Sequence, residues 1–114
     1  MSSPRQAELR RETKETTVDL SLTIDGSGTT SVSTGIPFFD HMVQQLGKHA
    51  GWDLDVTCKG DLAVDGHHTV EDVGIAIGQA LSEALGDKAG VRRFASIVVP
   101  LDEAAVEVAL DLSG

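Results

Sequence analysis

Residues 15–26 read Glu-Thr-Thr-Val-Asp-Leu-Ser-Leu-Thr-Ile-Asp-Gly. Val18, Leu20, Leu22 and Ile24 alternate with Thr17, Asp19, Ser21 and Thr23. Successive side chains on a strand point to opposite faces, so this stretch is expected to be a strand buried on one side only. The Asp25-Gly26 step predicts a hairpin turn into a second short strand over 29–34. The pattern returns without gaps at residues 103–114, Glu-Ala-Ala-Val-Glu-Val-Ala-Leu-Asp-Leu-Ser-Gly, matching at the leading Glu, the apolar positions and the final Gly. Strand grammar alone could produce such a match, because alternation is common to all half-exposed strands. Taken at face value, it makes 103–114 the first strand of a second unit that has been cut short.

Working outward, Pro37 suits the first turn of a helix, and Phe39, Met42, Val43 and Leu46 recur at the spacing of one buried face. On another side of that helix His41, Gln45 and His49 form a polar stripe at i, i+4 and i+8, and the helix should stop near 47–51. A further strand is expected where Leu54, Val56 and Cys58 alternate with polar residues. A second helix over roughly 70–85 carries Val70, Val73, Ile77, Leu81, Ala84 and Leu85 along one stripe and ends at Gly86. Its start is open: capping by Asp65 puts His67 and His68 in the first turn, whereas capping by Thr69 leaves both outside. Residues 94–101 and 104–112 read as two more strands, and 1–9, polar and aperiodic, as a mobile tail.

A chain of 114 residues holds one core but not two. With 40% apolar and 24% charged residues it is an ordinary globular composition, and no apolar run reaches membrane-spanning length. The net charge of −9 opposes nucleic acid as a partner, since that affinity comes from Lys and Arg displacing counterions. The first residues lack an apolar signal region, and the lone Cys58 cannot form an internal disulfide, so a cytoplasmic setting is expected.

His67 and Glu71 stand four apart, so on a helix they share a face and can chelate one divalent ion through nitrogen and oxygen. His68 points about a quarter-turn away and, as a ligand, would serve a different ion. The alternative is a pair of exposed polar histidines at a helix start. His49 fits an exposed imidazolium near a helix C-terminus, and no metal is assigned to it. Asp40 and Asp72 flank the histidines; each either orients a second ring nitrogen or balances charge at a helix end. With at most three or four ligands, the chain cannot complete two octahedral sites alone.

The ordered set Arg11-Glu-Thr-Lys-Glu15, Asp25-Gly-Ser-Gly28, Thr34-Gly-Ile-Pro-Phe-Phe-Asp-His-Met42, Gly60-Asp61, His67-His-Thr-Val-Glu-Asp72, Ala84-Leu-Gly-Asp-Lys88 and Arg92-Arg-Phe94 resembles imidazoleglycerol-phosphate dehydratase. The likeness runs from about residue 10 to the last residue. It implies an α+β fold built from βα repeat units of the ribosomal protein S5 domain 2-like type. The expected element order is β-β-α-β-α-β-β, with helices packed on a mixed sheet. Residues 10–102 would be the first repeat unit and 103–114 the first strand of a truncated second one.

The resemblance also implies a hydro-lyase of histidine biosynthesis that converts imidazoleglycerol phosphate to imidazole acetol phosphate with two manganese ions per site. Carried over residue by residue, His41, His67, His68 and Glu71 match metal ligands. Glu15 matches a residue near the reacting carbons, Gln45 lies in a substrate-contacting segment, and Arg93 matches a phosphate-binding arginine. The carbon–hydrogen bond to be broken has no neighbouring carbonyl, so the substrate's own imidazole must help, with metal ions assisting by Lewis-acid and template effects. Glu15 is then the candidate proton carrier, and otherwise a surface charge at a strand edge. Arg93 can grip phosphate with its two-pronged fork, while Arg92 is expected to be exposed. The second half of the family pattern, with another HHxxE motif, is missing here. Self-association of two copies is the expected way to replace it.

Overall fold

The computed structural model describes residues 4–114. The elements are β1 (Gln6–Glu12), β2 (Thr16–Thr23), β3 (Thr30–Ser33), α1 (Pro37–Ala50), β4 (Asp53–Gly60), α2 (His67–Leu85), β5 (Phe94–Leu101) and β6 (Ala104–Asp111). The first four strands form one mixed sheet in the order β1-β2-β4-β3, with β2 antiparallel to both neighbours and β3 parallel to β4. The expected α+β class, with two helices on a mixed sheet, is what forms.

Alternation decides which face is covered. Val18, Leu20 and Leu22 of β2 and Leu54, Val56 and Cys58 of β4 meet Val43 of α1 and Val73, Ala76, Ala80 and Ala84 of α2 in one core. Both helices therefore lie on the same side of the sheet, and α2 runs over β1, β2 and β4. Small residues on α2 let it approach the sheet closely; each fully buried Val or Leu contributes about 1.5–3 kcal/mol. In α1, Pro37 begins the first turn, and Gly51 ends the helix in the left-handed conformation at φ 73°.

Three expectations are corrected. Of the tail expected over 1–9, residues 1–3 lie outside the described residues, but from Gln6 onward the chain is strand β1, paired with β2 from Gln6↔Thr23 to Glu12↔Thr17. The element order thus gains a strand. Its inner face carries Ala7, Leu9 and Arg11, too few apolar residues to show a period, and pairing with β2 overrides the weak local signal.

Asp25-Gly26 does not close a hairpin, because β4 lies between β2 and β3. The loop instead crosses the start of β4, where Asp53 Oδ1 accepts the Ser27 amide at 2.9 Å and the Thr29 amide at 3.1 Å. A side chain at Gly26 would strike the Asp53 backbone nitrogen, 2.5 Å from its Cβ position.

The unit boundary expected between 102 and 103 falls in the turn of the β5–β6 hairpin, whose strands pair residue for residue. This hairpin is a separate two-stranded sheet. Shifting residue numbers by 88 carries the β1–β2 register onto it: Gln6↔Thr23 becomes Phe94↔Asp111, and Glu12↔Thr17 becomes Pro100↔Ala105. The hydrogen bond from the Ile24 amide to the Arg5 carbonyl likewise recurs from Leu112 to Arg93. The repeat therefore includes β5 as well as β6. Where β1 and β2 turn their apolar face to α2, the matching face of the second hairpin, including Ile97, Val99, Val106, Val108 and Leu110, is exposed.

Candidate metal-binding site at the start of helix α2

Gly66 is the N-cap of α2, and Asp65 Oδ1 accepts the amide of His67 at 2.8 Å. Of the two possible starts, the one that puts both histidines in the first turn is therefore realised. Thr69 lies inside the helix, fully buried.

His67 Nε2 and Glu71 Oε2 face each other at 3.2 Å on the exposed side of the helix. This is the i, i+4 pair expected from the sequence, and both side chains are more than half exposed, at 68% and 53%. An open nitrogen and oxygen at this separation form a chelating pair for a divalent ion.

His68 turns away, its ring 5.3 Å from that of His67 and inclined by 72°. Its Nδ1 meets Asp61 Oδ2 at 2.7 Å. A carboxylate only accepts hydrogen bonds, so the shared proton sits on Nδ1 and the Nε2 lone pair of the neutral ring is left for a ligand. Asp61 raises the His68 pKa above its ordinary value, chiefly through this hydrogen bond, with a lesser contribution from the Glu15 charge. In the sequence Asp61 stands only as part of the Gly60-Asp61 motif; nothing in residue spacing shows that the loop before α2 folds it back onto His68.

Glu15 lies exposed in the two-residue turn between β1 and β2, close enough for its charge to act on His68. The turn closes with the Thr13 amide on the Thr16 carbonyl at 2.9 Å. His41 is exposed on α1, and Gln45 is bonded to His49 at 3.1 Å, using the polar stripe for itself. Arg93 stands before β5, 2.6 Å from Asp111 Oδ1 and 3.1 Å from Asp111 Oδ2, with its guanidinium 4.8 Å from the Phe94 ring centre. Among the described residues, no three His, Cys, Asp or Glu side chains converge as a complete metal site. The structure thus brings together two pairs, His67 with Glu71 and His68 with Asp61, with Glu15 near the second.

Neither flanking aspartate reaches a histidine ring: Asp40 is the acidic residue in the first turn of α1, as the helix-end alternative expects, and Asp72 fits neither alternative. Asp40 Oδ1 accepts the Thr34 amide at 2.9 Å and the Thr34 hydroxyl at 2.5 Å, which fixes the connection from β3 into α1. Asp72 points inward, 7% exposed, and accepts hydroxyls from Thr16 at 2.5 Å and Thr13 at 3.3 Å. Those hydroxyls, Thr16 first, hold its pKa below the usual carboxylate value, helped by Arg11, whose Nε is 3.6 Å away.

Residues 34–114 match the family model described as imidazoleglycerol-phosphate dehydratase. A protein of that name from Acidothermus cellulolyticus is 63% identical over 112 residues, covering 98% of this chain and 54% of the relative. One from Methanopyrus kandleri is 55% identical over 114 residues, covering 100% of this chain and 57% of the relative. The chain thus spans about half the length of the curated relatives it matches. The solved imidazoleglycerol-phosphate dehydratase from Staphylococcus aureus superposes with a TM-score of 0.80 at 30% identity, covering 95% of this chain and 58% of that one. The Pyrococcus furiosus structure gives a TM-score of 0.71 at 31% identity, with 92% and 55% covered.

Proposed function

Because this chain belongs to the imidazoleglycerol-phosphate dehydratase family, we propose that it supplies half of a di-manganese site for converting imidazoleglycerol phosphate to imidazole acetol phosphate in histidine biosynthesis. The observation that carries this reading is the pairing of His67 with Glu71 on the open face of α2, next to a His68 whose second nitrogen is fixed by Asp61. The donor set fits manganese: imidazole nitrogen and carboxylate oxygen suit a divalent ion with mixed ligands, and a carboxylate behind a ligand histidine fixes its tautomer.

In this reading His67 and Glu71 would hold one ion, and His68, with His41, would hold the other. Bound manganese supplies Lewis acidity and orients the substrate. Glu15 takes the proton from carbon and returns one to the departing hydroxyl, as a carboxylate next to the site can do in succession. Gln45 contacts the substrate, and Arg93 binds its phosphate after exchanging Asp111 for it. The remaining ligands come from outside the residues present here. The common register of the two hairpins supports assigning residues 94–114 to a second unit of the same plan. A buried thiol at Cys58 supports a reducing cytoplasm, and no helix among the described residues is long and apolar enough to cross a membrane.

A second reading, a non-catalytic metal-binding half-domain that associates with itself, is favoured by the exposed apolar face of the β5–β6 hairpin. Metal content of the chain dialysed against manganese, with His67→Ala and Glu71→Ala alongside, tests the ligands: both substitutions should lower it, and unchanged content in both sinks the assignment. Turnover of imidazoleglycerol phosphate by the same samples separates the two readings. Light scattering showing a monodisperse monomer removes self-association.

A further inference from the structure

We propose that Asp72 is a positioning residue that holds Glu15 in place through the hydroxyl of Thr13, a role resting on the reading of Glu15 as proton carrier. The Glu15 amide donates to Thr13 Oγ1 at 3.2 Å, and the Thr16 amide donates to the same oxygen at 3.0 Å. With its oxygen accepting from two backbone donors, Thr13 has one hydroxyl hydrogen to donate; Asp72 Oδ2 and Thr16 Oγ1 both lie 3.3 Å away, and the charged carboxylate is the stronger acceptor. Thr16 Oγ1 donates to that same carboxylate oxygen at 2.5 Å. Two hydrogen bonds in series therefore link the Glu15 backbone to α2.

Neighbouring positions on a helix differ by about 100°. Glu71 consequently faces outward with His67, while Asp72 turns under the helix toward the β1–β2 turn. One turn of α2 thus displays a ligand pair and clamps the turn that carries Glu15. Burying a carboxylate is unfavourable unless hydrogen bonds compensate, and the two threonine hydroxyls supply them. Arg11 adds charge attraction, its Nε 3.6 Å from Asp72 Oδ1.

The second hairpin serves as an internal control. In the shared register Leu101 and Ala104 occupy the positions of Thr13 and Thr16, and that hairpin closes its turn without hydroxyls. Its turn takes another backbone form, with Asp102 at φ 51°, whereas Thr13 both caps its own turn and reaches the carboxylate.

Thr13→Val keeps the shape and removes the hydroxyl, Thr13→Ser restores it, and Asp72→Asn keeps the volume of the acceptor. Amide hydrogen exchange followed by NMR should show Glu15 and Thr16 exchanging about tenfold faster in Thr13→Val and Asp72→Asn. Leu20 and Val56 should be unchanged, with recovery in Thr13→Ser. Turnover of imidazoleglycerol phosphate should fall by about 10- to 100-fold in kcat, with KM and manganese content held. A merely structural role would speed exchange across the whole sheet, Leu20 and Val56 included. Glu15 exchange indistinguishable from wild type in both variants overturns the proposal, whatever the turnover. The exchange effect in both variants, with no turnover by the wild-type chain, leaves the clamp standing and removes the catalytic reading instead.

Discussion

Leu22 and Leu110 are the same residue at the same place in the two hairpins, yet one is fully buried and the other 50% exposed. Truncating each to alanine isolates what cover contributes. Leu22 pairs with Ala7 on one side and Leu54 on the other, beneath the helices. Its removal leaves a cavity in a rigid sheet, and Leu22→Ala should cost about 3–4 kcal/mol, a large fraction of a small domain's stability. Leu110 loses half as much contact and leaves no cavity, so Leu110→Ala should cost ~1 kcal/mol or less. Urea unfolding followed by fluorescence of Trp52, the single tryptophan, which packs against the core, reads both. At a slope of ~1.5 kcal/mol/M, Leu22→Ala should lower the midpoint by about 2 M and Leu110→Ala by well under 1 M. Equal losses at the lowest protein concentration would refute the open hairpin face. A Leu110→Ala loss that grows with concentration would identify a second copy as its cover.

The His68–Asp61 pair predicts a pH dependence in metal-free protein. Because the folded-state pKa of His68 is raised, its stabilisation is complete below the ordinary value of 6.5 and disappears as pH rises through the raised value. Urea midpoints measured with chelator from below that value upward should fall more steeply in wild type than in Asp61→Asn; parallel curves would remove the pair as the cause. At the end of β4, an added Cβ at Gly60 would collide with Thr69 Oγ1 and come 3.3 Å from Thr16 Cγ2. Gly60→Ala should therefore destabilise by about 1–3 kcal/mol, and Thr69→Ala in the same chain should recover most of it. Additive losses in the double variant would show that the two sites do not touch.

Strong periodicity made most elements legible. The alternation through Val18, Leu20 and Leu22 names core residues that the structure buries, and the helix stripes do so at Phe39, Val43, Val73, Ile77, Leu81 and Ala84, whereas Met42, Leu46 and Val70 are exposed. What failed was non-local. Two apolar residues among charges in β1 carry no readable period, and Asp25-Gly26 cannot reveal that a later strand will insert beside β2. The same division holds at the site. Helical geometry placed Glu71 beside His67, but the partners of His68 and Asp72 come from the loop before α2 and from the β1–β2 turn. No spacing within the helix points to either.

The shared register also bears on which hairpin can cover α2. Residues 94–111 lie nearer to α2 along the chain than 6–23 do and pair in the same register. Docked there, they would set Leu101 and Ala104 against Asp72, leaving a buried carboxylate without hydroxyl donors, a loss of about 1–3 kcal/mol or more. The threonines of the first hairpin are thus a key that the second hairpin lacks, and only the first can satisfy the buried aspartate.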